Sequence, residues 1–195
     1  MSLITVSLVL FLIMDPIGNI STYLKMVEGI DPKRQRMIVI REMLIALLIM
    51  LFFNFLGEWI FYIFQFSEAT VRISSGVILF LIALQILFPT LNAMRSKIGK
   101  GEPFITPLAI PLIAGPSLLA TIMLYAHLEE SKSLMLGAIA ISWIAAVLVL
   151  LLANPLNHIF GKNGLLAGEK LMGMILVMLA IQRFLDGITK LVAEL

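Results

Sequence analysis

The sequence predicts an all-α integral membrane protein, with six transmembrane helices in a 3+3 inverted repeat and with helices 1 and 4 discontinuous. Three observations lead there. Of 195 residues, 61% are hydrophobic and only 13% are charged, with a mean hydropathy of +1.06; a soluble chain runs nearer half apolar and a quarter charged. The apolar residues gather into six stretches of roughly membrane-spanning length. The second half of the chain repeats features of the first. Composition excludes a disordered or nucleic-acid-binding protein. With no cysteines, disulfides, thiolate nucleophiles and Cys-ligated zinc are excluded as well.

The six stretches are Leu3–Leu24, Met43–Gly57, Ile73–Met94, Pro103–Ala126, Ser133–Asn157 and Leu171–Leu185. The first lacks a basic leader and a small-residue cleavage site, so it is expected to be a retained helix rather than a signal peptide. The second is short, but Asp31-Pro32 forms an N-cap and first-turn pair, so its helix should begin outside the bilayer. Trp59 and Tyr62 then fall where an interfacial aromatic belt is expected. Lys25, Lys33, Arg34, Arg36 and Arg41 flank the first connection, Arg95, Lys97 and Lys100 the third, and Lys162 and Lys170 the fifth. The opposite side holds only Arg72, Lys132 and Lys190, with Arg183 inside the last helix. Positive residues stay inside, which predicts a multi-pass topology with odd-numbered loops cytoplasmic and both termini outside.

The repeat is visible in two places. Gly76-Val-Ile-Leu-Phe-Leu-Ile-Ala83-Leu-Gln85 aligns without gaps on Gly173-Met-Ile-Leu-Val-Met-Leu-Ala180-Ile-Gln182, and Asn54/Asn154 and Pro16/Pro116 share a second, common offset. One membrane domain, 1–195, is thus expected to contain pseudo-repeats 1–95 and 103–195, joined by a cytoplasmic loop 96–102. Each repeat holds three spans, an odd number, so the second must enter the membrane from the opposite face. That arrangement suits a transporter, because one sequence solution then serves both an inward and an outward gate.

Each repeat opens with an interrupted helix. The first reads Met14-Asp15-Pro16-Ile17-Gly18-Asn19 and the second Pro107-Leu-Ala-Ile-Pro111-Leu-Ile-Ala-Gly115-Pro116-Ser117. Proline removes a backbone donor and glycine tolerates unusual dihedrals, so both helices should unwind near mid-depth. Irregular backbone at that depth must be buried in protein or line a watery cavity. The following half-helix N-termini would favour an anion such as a carboxylate. Asp15 is a carboxylate inside a span, a functional candidate by default; it could receive an ammonium group, carry a proton, or cap the next half-helix. The substrate-binding candidates are Asp15, Pro16, Gly18, Asn19, Gly115, Pro116, Ser117 and Thr121, with Ser21 and Thr22 close by. Asn54, Gln85, Asn154 and Gln182 are amides that either line the site or join helices by hydrogen bonds. Gly76 and Gly173 should permit close helix approach. Arg183 and Asp186, at i, i+3, are expected to pair, and Arg41 with Glu42 is either a cytoplasmic gate or a snorkelling pair.

Those two proline-glycine motifs, with Leu185-Asp186-Gly187-Ile188, resemble the MarC family of bacterial inner-membrane proteins, also called SnatA-like, over essentially the whole chain. The resemblance implies six spans in a three-plus-three inverted topology and transport of small neutral amino acids such as glycine, alanine or threonine. The expected function is therefore a secondary transporter of a small zwitterion, working by alternating access, with H+ or Na+ as coupling-ion candidates and membrane lipid as its surroundings. No cofactor, metal or nucleic-acid partner is expected. An intramembrane enzyme is disfavoured, because Gly115-Pro116-Ser117 lacks a nucleophile-elbow pattern and His127 and His158 are not spaced as a metal pair. The competing readings are a non-transporting assembly or regulatory protein, and a channel or exporter of another small solute.

Overall fold

The computed structural model describes residues 2–88, 113–129 and 131–193, which form seven α-helices. Helices α1 (Leu3–Met14) and α2 (Pro16–Met26) meet end to end at Asp15, the expected interruption of the first span. Helix α3 (Pro32–Phe64) starts well ahead of its apolar stretch, with the Asp31 carboxylate accepting from the Lys33 N–H at 3.2 Å and Pro32 at the first helical position. Ser67 caps α4 (Glu68–Leu87) in the same way, by accepting from Thr70 N–H at 3.1 Å. The remaining helices are α5 (Pro116–Leu128), α6 (Lys132–Leu151) and α7 (Ala153–Ala193). Gly161, at φ 64°, divides α7 into a short lead-in and a long span; positive φ carries no steric penalty at glycine.

Five helical stretches are long and apolar enough to cross a membrane: Leu3–Met26, Pro32–Gly57, Glu68–Leu87, Lys132–Leu151 and Asn163–Ala193. Helix α5, 13 residues long, is too short to cross on its own. The first part of the predicted fourth span, with Pro107 and Pro111, lies outside the described residues, as does the expected loop 96–102. Of the boundaries that differ from expectation, two bear on the site and its neighbours. The fifth span ends at Leu151 rather than Asn157, and the last begins at Asn163 rather than Leu171. The second difference brings Glu169 and Lys170 inside the span.

The central part of α3 is mostly apolar around its circumference, so its packed and outward faces are not separated by polarity alone. On α3 the residues Val39, Met43, Ala46, Met50, Asn54 and Gly57 are buried, while Leu44, Leu48, Phe52, Phe55, Trp59 and Tyr62 are exposed. Both sets recur at helical spacing. Small and thioether side chains pack inward; large aliphatic and aromatic ones face out, as an apolar solvent permits.

Packing is densest between α4 and α7, followed by α1 on α6, α2 on α7, α3 on α5 and α4 on α5. The α4–α7 seam depends on glycine. A Cβ at Gly76 would lie 2.9 Å from both the Ala180 carbonyl oxygen and the Phe184 nitrogen, backbone atoms that cannot step aside. Gly76→Ala is therefore expected to cost about 1–3 kcal/mol, the usual range for overpacking, and to lower the melting temperature in detergent. Gly137→Ala, which would meet only the flexible Leu3 Cδ1 at 3.3 Å, should shift it far less. Equal melting temperatures for the two variants would contradict this account of the seam.

Candidate functional site

The break between α1 and α2 is built from local hydrogen bonds. Asp15 adopts a left-handed conformation, φ 45°, ψ 54°, which ends α1 and lets α2 start in a new direction. Asp and Asn enter that region more readily than other non-glycine residues. Its N–H reaches the Phe11 and Leu12 carbonyls, each at 3.2 Å, and its Oδ1 accepts from Gly18 N–H at 3.1 Å. Asn19 Nδ2 donates to the Met14 carbonyl at 3.1 Å. Backbone groups freed by the interruption thus find partners within five residues, which is how a break is tolerated in a span. The strained residue is Asp15, not Gly18, and glycine is needed at 18 for another reason. A Cβ there would strike the Asp15 carboxylate, with Cγ and Oδ1 both at 2.8 Å.

Helix α5 begins differently. Gly115, in extended conformation at φ −77°, ψ 162°, is its N-cap, and no side chain caps it. Pro116 at the first position has no N–H, and the N–H groups of Ser117 and Leu118 have no helical carbonyl within reach. Ser117 Oγ donates to the Ser75 carbonyl at 3.2 Å and so pins this end of α5 to α4.

The two breaks open onto one cavity of about 390 Å³. Asp15, Gly18, Asn19 and Thr22 line it from the first break; Gly115, Pro116 and Ser117 from the second; Gln85 from α4; and Glu169 from α7. Apolar walls come from Ile13, Leu79, Ile82, Ile113 and Leu176, among others. Asp15 is only 5% exposed. One of its oxygens accepts from Gly18 N–H, and the other has no hydrogen-bond partner among the described residues.

Several candidates lie elsewhere. Pro16 is buried at the start of α2 but does not line the cavity. Thr121 sits one turn beyond Ser117, donates to its carbonyl at 2.7 Å and receives a hydrogen bond from Arg183 at 2.5 Å. Gln182 faces away from the cavity and donates to Asp186 at 2.8 Å. Asn154 lies in the lead-in of α7 and donates to Gln35 of α3 at 2.8 Å. Asn54 is buried on α3, next to Phe55 and Met135 rather than the breaks. Of the four amides, only Gln85 reaches the cavity.

The expected Arg183–Asp186 pair does not form. Arg183, 8% exposed, crosses to α5, bonding Thr121 and the Tyr125 hydroxyl (3.4 Å) and stacking over the Tyr125 ring at 5.6 Å from its centroid. Arg41 does bond Glu42, at 2.9 Å, and the glutamate is wholly buried. Sequence reasoning missed Glu169, because Gly168-Glu169-Lys170 reads as a polar connection. Lys170 is itself tied down inside the protein, donating to the Ile86 carbonyl at 2.9 Å and to that of Leu87.

Comparison with known proteins agrees with this arrangement at the level of family. The family described as "MarC family integral membrane protein" matches residues 1–192. A "UPF0056 membrane protein" of Buchnera aphidicola subsp. Baizongia pistaciae is 47% identical over 190 residues, covering 95% of this chain and 96% of the relative. The "UPF0056 inner membrane protein YhgN" of Escherichia coli K12 is 45% identical over 188 residues, 95% of each. An archaeal relative, a UPF0056 membrane protein of Pyrococcus abyssi, is 29% identical over 182 residues, 92% of this chain and 90% of its own length. No solved structure matches. Matched from residue 1 to residue 192, the chain belongs to the MarC family of integral membrane proteins.

Proposed function

We propose that this protein is a secondary transporter of small neutral amino acids, of the glycine, alanine and threonine class, in the inner membrane. The observation that carries the reading is the polarity of the cavity. One helix start, at α2, is occupied by its own carboxylate, so that end of the cavity is electronegative. The other, at α5, has no side-chain cap and offers N–H groups and the positive end of a helix dipole. A zwitterion with its ammonium near Asp15 and its carboxylate at Ser117 and Leu118 satisfies both. The sequence reading gave both half-helix N-termini to the carboxylate; Asp15 leaves only that of α5 for it. The apolar walls and modest volume suit a short side chain. The reading assigns no reaction to the chain.

The inverted repeat is part of this proposal, and the packing supports it. Under the offset that aligns Gly76 with Gly173, Leu87 aligns with Phe184. Gly76 packs against Phe184, and a Cβ at Gly173 would lie 3.1 Å from Leu87. The two contacts are thus exchanged copies of one another. On the helices before them, Trp143 Nε1 donates to the Met43 carbonyl at 2.7 Å, joining positions that correspond under the offset of Asn54 and Asn154. A contact between corresponding positions is what a two-fold axis between the repeats requires.

Alternating access accounts for a further asymmetry. The cavity lies between the breaks and the side of the first connection, along the C-terminal half of α4 and the early part of the last span. Arg183 lies seven residues beyond Leu176, about 10 Å further along α7, towards the opposite face. It bridges α5 and α7, whose backbones otherwise scarcely approach. A polar latch closes that face while the cavity serves the other. With the basic connections inside, this is an inward-facing arrangement with both termini outside. The functional reading is tested by counterflow of labelled glycine in proteoliposomes, with alanine and threonine as competitors.

A further inference from the structure

Glu169 is the residue that the transport reading does not yet use. It is partly buried and lines the same cavity as Asp15. Among the described residues no Lys, Arg or His lines that cavity, and the other described lining residues contributed by α4 and α5 are not titratable. The nearest cation along the chain, Lys170, is committed to the carbonyls of Ile86 and Leu87. Asp15 adds a deeply buried carboxylate with one oxygen unpartnered. Among the described residues, this cavity therefore holds two carboxylates and no cation.

This arrangement has a consequence for charge balance. A zwitterion brings no net charge, so on its own it leaves the charge of the two carboxylates unbalanced. The partial positive charge at the start of α5 faces the carboxylate of the substrate and offsets only part of the excess. Two carboxylates facing one partly buried cavity repel each other, and a counter-charge that enters with the substrate relieves that repulsion. We propose that Glu169 and the unpaired oxygen of Asp15 together seat one monovalent cation, H+ or Na+, that travels with the amino acid. This rests on the transporter reading above and deepens it, since it places the coupling ion on a named residue. Asp15 is shared between the substrate ammonium and the cation, and Glu169 belongs to the cation alone.

Two measurements separate the cation site from the substrate reading. The chain has no cysteine, so a single Ile82→Cys probe reports on the cavity that Ile82 lines. Its maleimide labelling is normalised to a cysteine replacing exposed Tyr62, which corrects for thiolate fraction. With Glu169 present, Na+ at fixed pH, or acidification without Na+, is expected to slow Ile82→Cys labelling several-fold; which of the two acts identifies the ion. Glu169→Gln should remove the response. Glu169→Asp, which keeps the charge on a shorter arm, should move the half-protecting concentration by roughly threefold or more, and it carries the test if the glutamine variant fails to insert. In proteoliposomes, gradient-driven glycine accumulation divided by counterflow should fall about tenfold or more in Glu169→Gln. Labelling that ignores both ions in the Glu169 chain, or a Glu169→Gln variant that responds unchanged, would overturn the proposal. An ion response without any glycine counterflow would keep the cation site and remove the amino-acid reading.

Discussion

Asp15→Asn is expected to leave the protein folded and to reduce glycine counterflow by roughly 10- to 100-fold. Asparagine keeps the oxygen that accepts from Gly18 N–H, so the cap on α2 survives. It also tolerates the left-handed backbone at this position. What it removes is the charge on the oxygen that faces the cavity. A hydrogen bond to a charged group contributes about 1.5–3 kcal/mol, which converts to the stated loss of affinity. Asp15→Ala differs in kind, because it also removes the cap, at a cost of about 0.5–2 kcal/mol, and strains the αL backbone. The asparagine variant should therefore melt close to the parent and the alanine variant well below it, with counterflow impaired in both. Normal transport by well-folded Asp15→Asn protein would leave capping as the whole role of the residue.

Gly18→Val is expected to abolish glycine binding in a chain that still inserts, and Gly18→Ala should come close to doing so. The reason is collision rather than dihedral freedom. Any Cβ at position 18 falls on the Asp15 carboxylate, so the carboxylate must swing away from its cap and from the cavity. The cost is about 1–3 kcal/mol in stability, together with the loss of the electronegative end of the site. The two residues should couple: in an Asp15→Ser background, with a shorter side chain, Gly18→Ala should cost much less. Calorimetric titration of glycine into monodisperse protein measures the binding, and melting temperatures measure the coupling. Near-parental affinity in Gly18→Val would place the substrate elsewhere. Additive melting shifts would contradict the proposed collision.

The parts of the structure written locally in the sequence were the legible ones. Asp15-Pro16, Asp31-Pro32 and Gly115-Pro116 each mark a helix start, because proline at the first helical position and a capping residue before it act over a few residues. The position of the first break, at Asp15, was legible for the same reason, and so was the glycine seam of α4 and α7. The long-range partners were not. Arg183 has Asp186 three residues away, yet bonds Thr121, 62 positions earlier in the chain. Local spacing favours the first pairing; only the crossing of α7 over α5 makes the second available. Gln85 and Gln182 align in sequence, but Gln85 lines the cavity and Gln182 bonds Asp186, a difference that matching local sequence does not carry. Glu169 was hidden by a boundary, because a span drawn from Leu171 leaves it in a loop. Which face of α3 packs inward was also unreadable: Leu44 and Met43 are both apolar and of similar volume, and only their neighbours in the fold separate them.

Counterflow in proteoliposomes tests the central claim most directly. Liposomes containing the purified chain, preloaded with unlabelled glycine, are diluted into a trace of labelled glycine. The two-pole cavity predicts transient accumulation of label above the equilibrium level, suppressed by alanine and threonine. Methylamine and acetate, which each match one pole only, should compete at least about tenfold less well. Label at the level of protein-free liposomes, or equal competition by acetate alone, would contradict the account.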